Sequence, residues 1–372
     1  MATGTVPAMP IRPREHLQTL TPYEWEASAT EIAAAAGIPE SAVIRFDTNT
    51  TAWPPLAWEE ISLDTPRLAA NEYPHPSNEP LRSGLAERIG VEPEQIVVTC
   101  GADEALSLVA NVFLGPSRRA IVADPSFSMF RVVSETVGAA MLPIEVDTDW
   151  NLPRAGLRDA LRAPDVTVAW LCSPNNPTGR LLDGDVVADA AAAAPDTLIV
   201  VDEVYYEIAG QTVAHLLASH PNLLLIRTFS KGYGLAGARI GYAVGQREVV
   251  QALESVRLPQ NMTVFGIMAA YRALADQEGL KARVGAIVAE RERLAAALAA
   301  RGWELVPSSA NFLLGRPPTP APELSQWLQG AGLIVRSYAH HRRLRDWLRI
   351  AVRAPDEDDR LLARLDQLPA PP

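Results

Sequence analysis

Lysine is nearly missing from this chain. Of 33 basic residues, all but Lys231 and Lys281 are arginine, so each lysine can be asked separately what it does. Cysteine is equally scarce: Cys100 and Cys172 alone exclude a disulfide framework. Each sits beside an apolar, strand-like run, and both are expected to be buried thiols. Basic charge is short overall, 33 residues against 44 acidic ones for a net charge of −11, which disfavours a nucleic-acid or anionic-membrane partner. No uninterrupted apolar stretch approaches the roughly 18 residues that span a bilayer. The first thirty residues hold no apolar core of signal-peptide length, so a cytoplasmic location is the default expectation. No internal repeat is present, and only the final Pro-Ala-Pro-Pro reads as low-complexity sequence. What remains is 48% apolar and 21% charged, ordinary for a globular protein, and 372 residues is long enough for two domains.

From about residue 80 the pattern alternates between helical and strand-like runs. Helices are expected at Glu79–Gly90, Ala102–Leu114, Phe127–Val137 and around Val186–Ala194. Strands are expected at Gln95–Thr99, Ala120–Ala123, Met141–Val146, Val166–Cys172, Thr197–Val201, Leu223–Phe229 and Ile240–Val244. That alternation predicts an α/β domain with a mostly parallel central sheet and helices on both faces. After Val250 helical sequence dominates through Gly302. An α+β tail follows: strands Trp303–Val306 and Asn311–Leu314, helix Pro322–Gly330, strands Leu333–Val335 and Trp347–Val352, helix Asp356–Leu368. The expected division is an arm, 1–45, packing on the small domain; a large α/β domain, 46–270; and a small α+β domain, 271–372.

The segment Arg227–Gly245 contains a literal G-x-G-x-x-G at Gly232, Gly234 and Gly237. A dinucleotide site needs a helix to open after that loop, and the residues following Arg239 read as a strand. Around Lys231 the segment makes different sense. Burial among small residues lowers a lysine's pKa and makes its amine nucleophilic, while Thr228, Ser230 and Arg239 suit a phosphate ester. Together they suggest a Schiff-base lysine holding pyridoxal 5′-phosphate, against the plain alternative of a solvated loop lysine. Lys281 lies in an amphipathic helical run and is expected at the surface. Ser173–Gly179 (SPNNPTG) offers Asn176 as an amide donor. Val201–Glu207 (VDEVYYE) puts Asp202 and Tyr205 at a strand end, where open α/β sheets face ligands. Cys100–Leu108 (CGADEALSL) joins strand to helix, so Gly101 and the N–H groups of Ala102 and Asp103 are expected at a phosphate on the helix N-terminus.

With these motifs in this order, the chain resembles the fold-type-I, aspartate-aminotransferase-like pyridoxal-phosphate enzymes, and within them the histidinol-phosphate aminotransferases. The likeness runs from Leu20–Glu26 (LTPYEWE), Asp47–Thr50 (DTNT) and Asn71–Pro74 (NEYP) to Val335–Ser337 and Trp347–Val352. It implies that Lys231 carries the cofactor and moves a proton between Cα and C4′, and that Asp202 pairs with the pyridinium nitrogen. It further implies that Asn176 and Tyr205 bond the ring oxygen, Phe127 stacks on the ring, and Ala102, Asp103, Thr228, Ser230 and Arg239 hold the phosphate. Tyr73 would reach that phosphate from a second copy, implying a homodimer. Tyr23, Asn49, Asn176, Arg336 and Arg349 would line the substrate end, and no metal is called for. The chain departs from the family at Thr50, Phe127, Ala351 and Arg353 and in the basic run Tyr338–Arg345. Three substrate readings therefore stay open: histidinol phosphate with 2-oxoglutarate, a 2-oxo acid of a specialised pathway making a non-standard amino acid, or aromatic amino acids. An NAD(P)-dependent oxidoreductase using the glycine loop is the reading from another class.

Overall fold

The computed structural model describes residues 14–23, 26–55 and 71–368. The final Pro-Ala-Pro-Pro and the first part of the expected arm lie outside them. Helix α1 (Ala29–Ala36) starts at a capping box, with Ser28 Oγ accepting from Glu31 N and Glu31 reaching back to Ser28 N. Strand β1 (Ile44–Arg45) follows. The chain then alternates through α2 (Leu81–Ile89), β2 (Ile96–Thr99), α3 (Gly101–Phe113), β3 (Arg119–Asp124), α4 (Ser128–Thr136) and β4 (Ala140–Glu145). It continues through α5 (Arg154–Ala160), β5 (Val166–Cys172), α6 (Gly184–Ala193), β6 (Leu198–Asp202), α7 (Tyr206–Ala209), β7 (Leu223–Thr228) and β8 (Gly241–Gly245).

These strands form one seven-stranded sheet in the order β2-β8-β7-β6-β5-β3-β4. Only β8 runs against its neighbours. The central strands β5, β6 and β7 are mainly apolar because both faces are covered: Trp170, Val200 and Leu224 enter one core cluster, and their neighbours Leu171, Val201 and Leu225 enter the other. The register sets Cys172 beside Asp202 and Asp202 beside Ile226, so β5, β6 and β7 end at one level. The loops that leave those ends therefore meet along one edge.

Helices α8 (Arg247–Val256), α9 (Val264–Ala275) and α10 (Gln277–Ala299) follow. Thr263 and Asp276 cap the last two by accepting from Gly266 N and Gly279 N. Leu280, early in α10, belongs to the large core, whereas Leu294 and Leu298 belong to the core of the C-terminal part. The change of core thus falls within one helix. Strands β9 (Glu304–Val306), β10 (Phe312–Arg316), β12 (Arg336–Ser337) and β13 (Leu348–Ala351) make an antiparallel sheet, while β11 (Leu333–Ile334) pairs with β1. Helices α11 (Ala321–Gln329) and α12 (Pro355–Leu365) cover this part.

Three expectations need correction. Cys100 is exposed rather than buried, because the buried run of β2 ends at Thr99 and Cys100 turns outward to open α3. The single strand expected at Leu333–Val335 divides at Val335 into β11 and β12, which belong to different sheets. The described arm divides too. Strand β1 joins β11, yet the turn at Glu15–Thr19 lies on α4 of the large sheet, where His16 Nε2 approaches Thr136 O at 3.1 Å. No described helix is long and apolar enough to cross a membrane.

Candidate active site

A cavity of about 490 Å³ opens where the ends of β5, β6 and β7 meet the small sheet. Lys231 lies three residues beyond β7, and its Nζ donates to Asn49 O at 3.0 Å. Burial, reinforced by the Arg349 charge, lowers its amine to about 8. Asp202 closes β6 and is 2% exposed, with Oδ1 accepting from Val204 N. Burial pushes its carboxyl up to about 7, the Asp103 charge adding to this and Lys231 opposing it. The Tyr205 hydroxyl accepts from Asn49 Nδ2, and its phenol is raised by burial. Asn49 holds a left-handed conformation (φ 51°) that asparagine tolerates better than most side chains.

The loop after β5 is braced from within. Asn175 donates to Pro125 O and Thr178 Oγ1 and accepts from Ser126 Oγ, which ties Asn176 to the turn carrying Phe127. Asn176 Oδ1 in turn accepts from Arg349 Nη1 at 2.6 Å. At the opposite wall α3 presents its N-terminus. Gly101 has φ +75°, and a Cβ there would lie 2.5 Å from Arg239 Nη2. A Cβ on Gly241 would overlap the Gly101 carbonyl carbon, so β8 and the helix start touch only because both are glycine. Arg239 pairs with Asp103 at 3.1 Å, and Thr228 Oγ1 donates to Ser230 Oγ at 2.9 Å. A helix N-terminus, two hydroxyls and a guanidinium on one wall fit a phosphate group. An amine beside a buried carboxyl fits the aldehyde and ring nitrogen of pyridoxal 5′-phosphate.

The thirteen-residue spacing of Arg336 and Arg349 resolves into a direct cross-strand pair between β12 and β13. Arg349 is 6% exposed; it donates to Asn176 and to Asp47 O, and its Nε has no hydrogen-bond partner. Arg336 Nη1 lies 3.4 Å from Glu26 Oε1, with its guanidinium over the rings of Tyr23 and Tyr338.

The cavity thus brings together Tyr23, Asn49, Ala102, Asp103, Phe127, Asn176, Asp202, Tyr205, Thr228, Ser230, Lys231, Arg239, Arg336 and Arg349. Gly101 stands behind the wall instead of lining it, and Tyr73 is 82% exposed and lines no part of it. Glu26, Asp47, Thr48 and Met129, which are not among the residues expected from sequence, also line it, as does the departure Thr50. Glu26, Asp47 and Thr48 lie inside or at the end of the DTNT and LTPYEWE stretches, whose likeness could have pointed to them. Departures Thr50 and Arg353 meet, Arg353 Nη1 donating to Thr50 Oγ1 at 3.3 Å. In the basic run, Arg342 pairs with Glu145 and Arg343 donates to Val146 O, so these two arginines join the run to the end of β4; His340, His341 and Leu344 line an adjoining cavity. Gly237 lies within a single 3₁₀ turn (Ala236–Ala238), after which the chain enters β8, so the helix a dinucleotide requires is absent there.

The family model "Aminotransferase class I and II" matches residues 45–365. The chain is 33% identical over 365 residues to a histidinol-phosphate aminotransferase of Roseiflexus castenholzii, covering 95% of this chain and 97% of that one. It is 32% identical over 331 residues to an aromatic amino acid aminotransferase of Cutibacterium acnes, covering 87% and 92%. The crystal structure of histidinol-phosphate aminotransferase from Sinorhizobium meliloti in complex with pyridoxal 5′-phosphate superposes with a TM-score of 0.86 at 27% identity, covering 96% and 97%. The chain belongs to the class I and II aminotransferases. It is a pyridoxal-phosphate-dependent transaminase of fold type I, resembling the histidinol-phosphate branch.

Proposed function

We propose that the protein transfers the amino group of histidinol phosphate to 2-oxoglutarate, as a cytoplasmic homodimer. The observation that carries the reading is one cavity with Lys231 and Asp202 at one end and, at the other, Arg349 without a carboxylate partner among the described residues. The named relatives supply the choice of amine. When bound, pyridoxal phosphate supplies an electron sink for the pair left when substrate Cα loses its proton.

The remaining work falls to the chain. With its pKa near 8, the Lys231 amine is partly neutral at neutral pH, so Nζ can bond a carbonyl carbon or take up a proton. Asp202 is poised near neutrality, and a cationic ring nitrogen beside it holds it as the carboxylate. Asn176 and Tyr205 would orient the ring oxygen, and Phe127 would cover the ring. The N–H groups of Ala102 and Asp103, with Thr228, Ser230 and Arg239, would anchor the phosphate. Arg349, steadied by Asn176 and Asp47 O, grips the substrate's anionic group; Tyr23, Asn49 and Arg336 complete that end. Tyr73, 82% exposed, would complete the phosphate site of a second copy.

The test is a half-reaction panel. Holoenzyme is mixed with histidinol phosphate, phenylalanine or glutamate, and loss of the visible absorbance of lysine-bound cofactor is followed. Histidinol phosphate should react with the highest kcat/KM among the amines. A preference for phenylalanine would replace the reading with an aromatic aminotransferase, which the Cutibacterium relative favours. Light scattering should return twice the chain mass.

A further inference from the structure

We propose that Glu26 decides which amines the cavity accepts: it occupies Arg336, leaving Arg349 to bind a single substrate anion, and offers its carboxylate to a ring N–H. The inference rests on the aminotransferase reading and deepens it. Four carboxylates line this cavity, and three are accounted for. Asp103 pairs with Arg239, Asp47 with Arg45 at 2.6 Å, and Asp202 belongs to the cofactor end. Glu26 is the fourth, and it faces the substrate. Its Oε1 lies 3.4 Å from Arg336 Nη1 and accepts from Ser337 N at 3.2 Å. Both side chains are about 15% exposed, so neither charge is screened as a surface pair would be. Burial, opposed by Arg336 and Arg349, raises the Glu26 carboxyl, and a further donor would stabilise its charged form.

The surroundings specify the shape of that donor. Glu26 lines both the main cavity and an adjoining one of about 470 Å³, where Tyr23, Phe127 and Tyr338 present aromatic walls. A flat ring fits between such walls, and a ring N–H directed at Glu26 gains a charge-assisted hydrogen bond. A dicarboxylate, the 2-oxoglutarate acceptor and its glutamate product included, still binds but meets a cost that a ring-bearing amine does not. Its second carboxylate must draw Arg336 away from Glu26 and then lie beside that glutamate. The pair of arginines, taken alone, would favour two anions; Glu26 reverses that preference for one of them.

Two variants of the holoenzyme separate the two roles. Glu26→Gln removes the charge that holds Arg336, and kcat/KM for glutamate should rise about ten-fold. Glu26→Ala also removes the acceptor, and the ratio of kcat/KM for histidine over phenylalanine should fall about ten-fold or more. These two amines share an α-carboxylate and differ in the ring N–H. Glu26→Asp keeps the charge and should retain part of that ratio. The proposal is overturned if glutamate gains nothing from Glu26→Gln, or if histidine and phenylalanine fall alike in Glu26→Ala. It is equally overturned if the unaltered enzyme accepts no amine bearing a ring N–H. If it refuses histidinol phosphate yet shows these ratios with histidine, the substrate reading falls and the role of Glu26 stands.

Discussion

The cofactor end of the cavity draws its groups from one source, the aligned ends of β5, β6 and β7 and the start of α3, all parts of the large sheet and its cover. The substrate end is assembled from three: the arm (Tyr23, Glu26), the Asp47–Thr50 turn, and the paired strands β12 and β13 of the small sheet. Its hydrogen bonding is also less complete, with Asn49 Oδ1 and Arg349 Nε buried and unpartnered. A site whose chemistry must not vary sits on a rigid, doubly covered sheet, while the part that selects among amines sits where separate elements converge. Elements that converge can be changed one at a time without disturbing the rest.

The sharpest way to break this contrast is at its cofactor end. Lys231→Ala should abolish the visible absorbance of bound cofactor and lower transamination more than about 1,000-fold in single-turnover assays. Lys231→Arg should fail equally, because a guanidinium stays protonated. Asp202→Asn should lower the rate about 100-fold or more, since a neutral amide cannot hold a cationic ring nitrogen. At the substrate end, Arg349→Lys should raise KM about ten- to a hundred-fold with a smaller change in kcat, as a point charge replaces a planar fork.

The same Asp202 gives a test of opposite sign on stability. Between its ordinary value of 3.8 and about 7, the folded protein keeps a proton that the unfolded chain has lost, so stability without cofactor falls as pH rises through that window. At pH 8 that cost is complete, and Asp202→Asn should raise the stability of the cofactor-free protein by on the order of 2–4 kcal/mol in urea unfolding. The smallest effect belongs to the other lysine. Lys281 is exposed on α10, and Lys281→Arg should change stability by less than about 0.5 kcal/mol and leave the rate alone.

Much of the large sheet could be read from the chain because its strands are short, apolar and separated by helices with clear periods. Boundaries moved by a residue or so, as at β13, expected at Trp347–Val352 and found at Leu348–Ala351. Helix α5 went unrecognised: its seven residues, RAGLRDA, carry too few apolar positions to show a period, and Leu157 alone is buried. The helical sequence expected after Val250 resolves into three helices, the second and third opening at the caps Thr263 and Asp276. Cys100 was misplaced because adjacency to a buried strand says nothing about the direction of the next turn.

By itself the sequence determined the reaction class. In a chain that uses arginine almost everywhere, Lys231 keeps an amine whose proton can leave, and the motifs around it name the cofactor it serves. The tertiary structure decided which charges at the substrate end are available. Arg336 and Arg349 look equivalent along the chain, yet folding sets Glu26, over three hundred residues away, against one and leaves the other open. Charge pairing depends on distance in space, and nothing in the local sequence of either arginine encodes it.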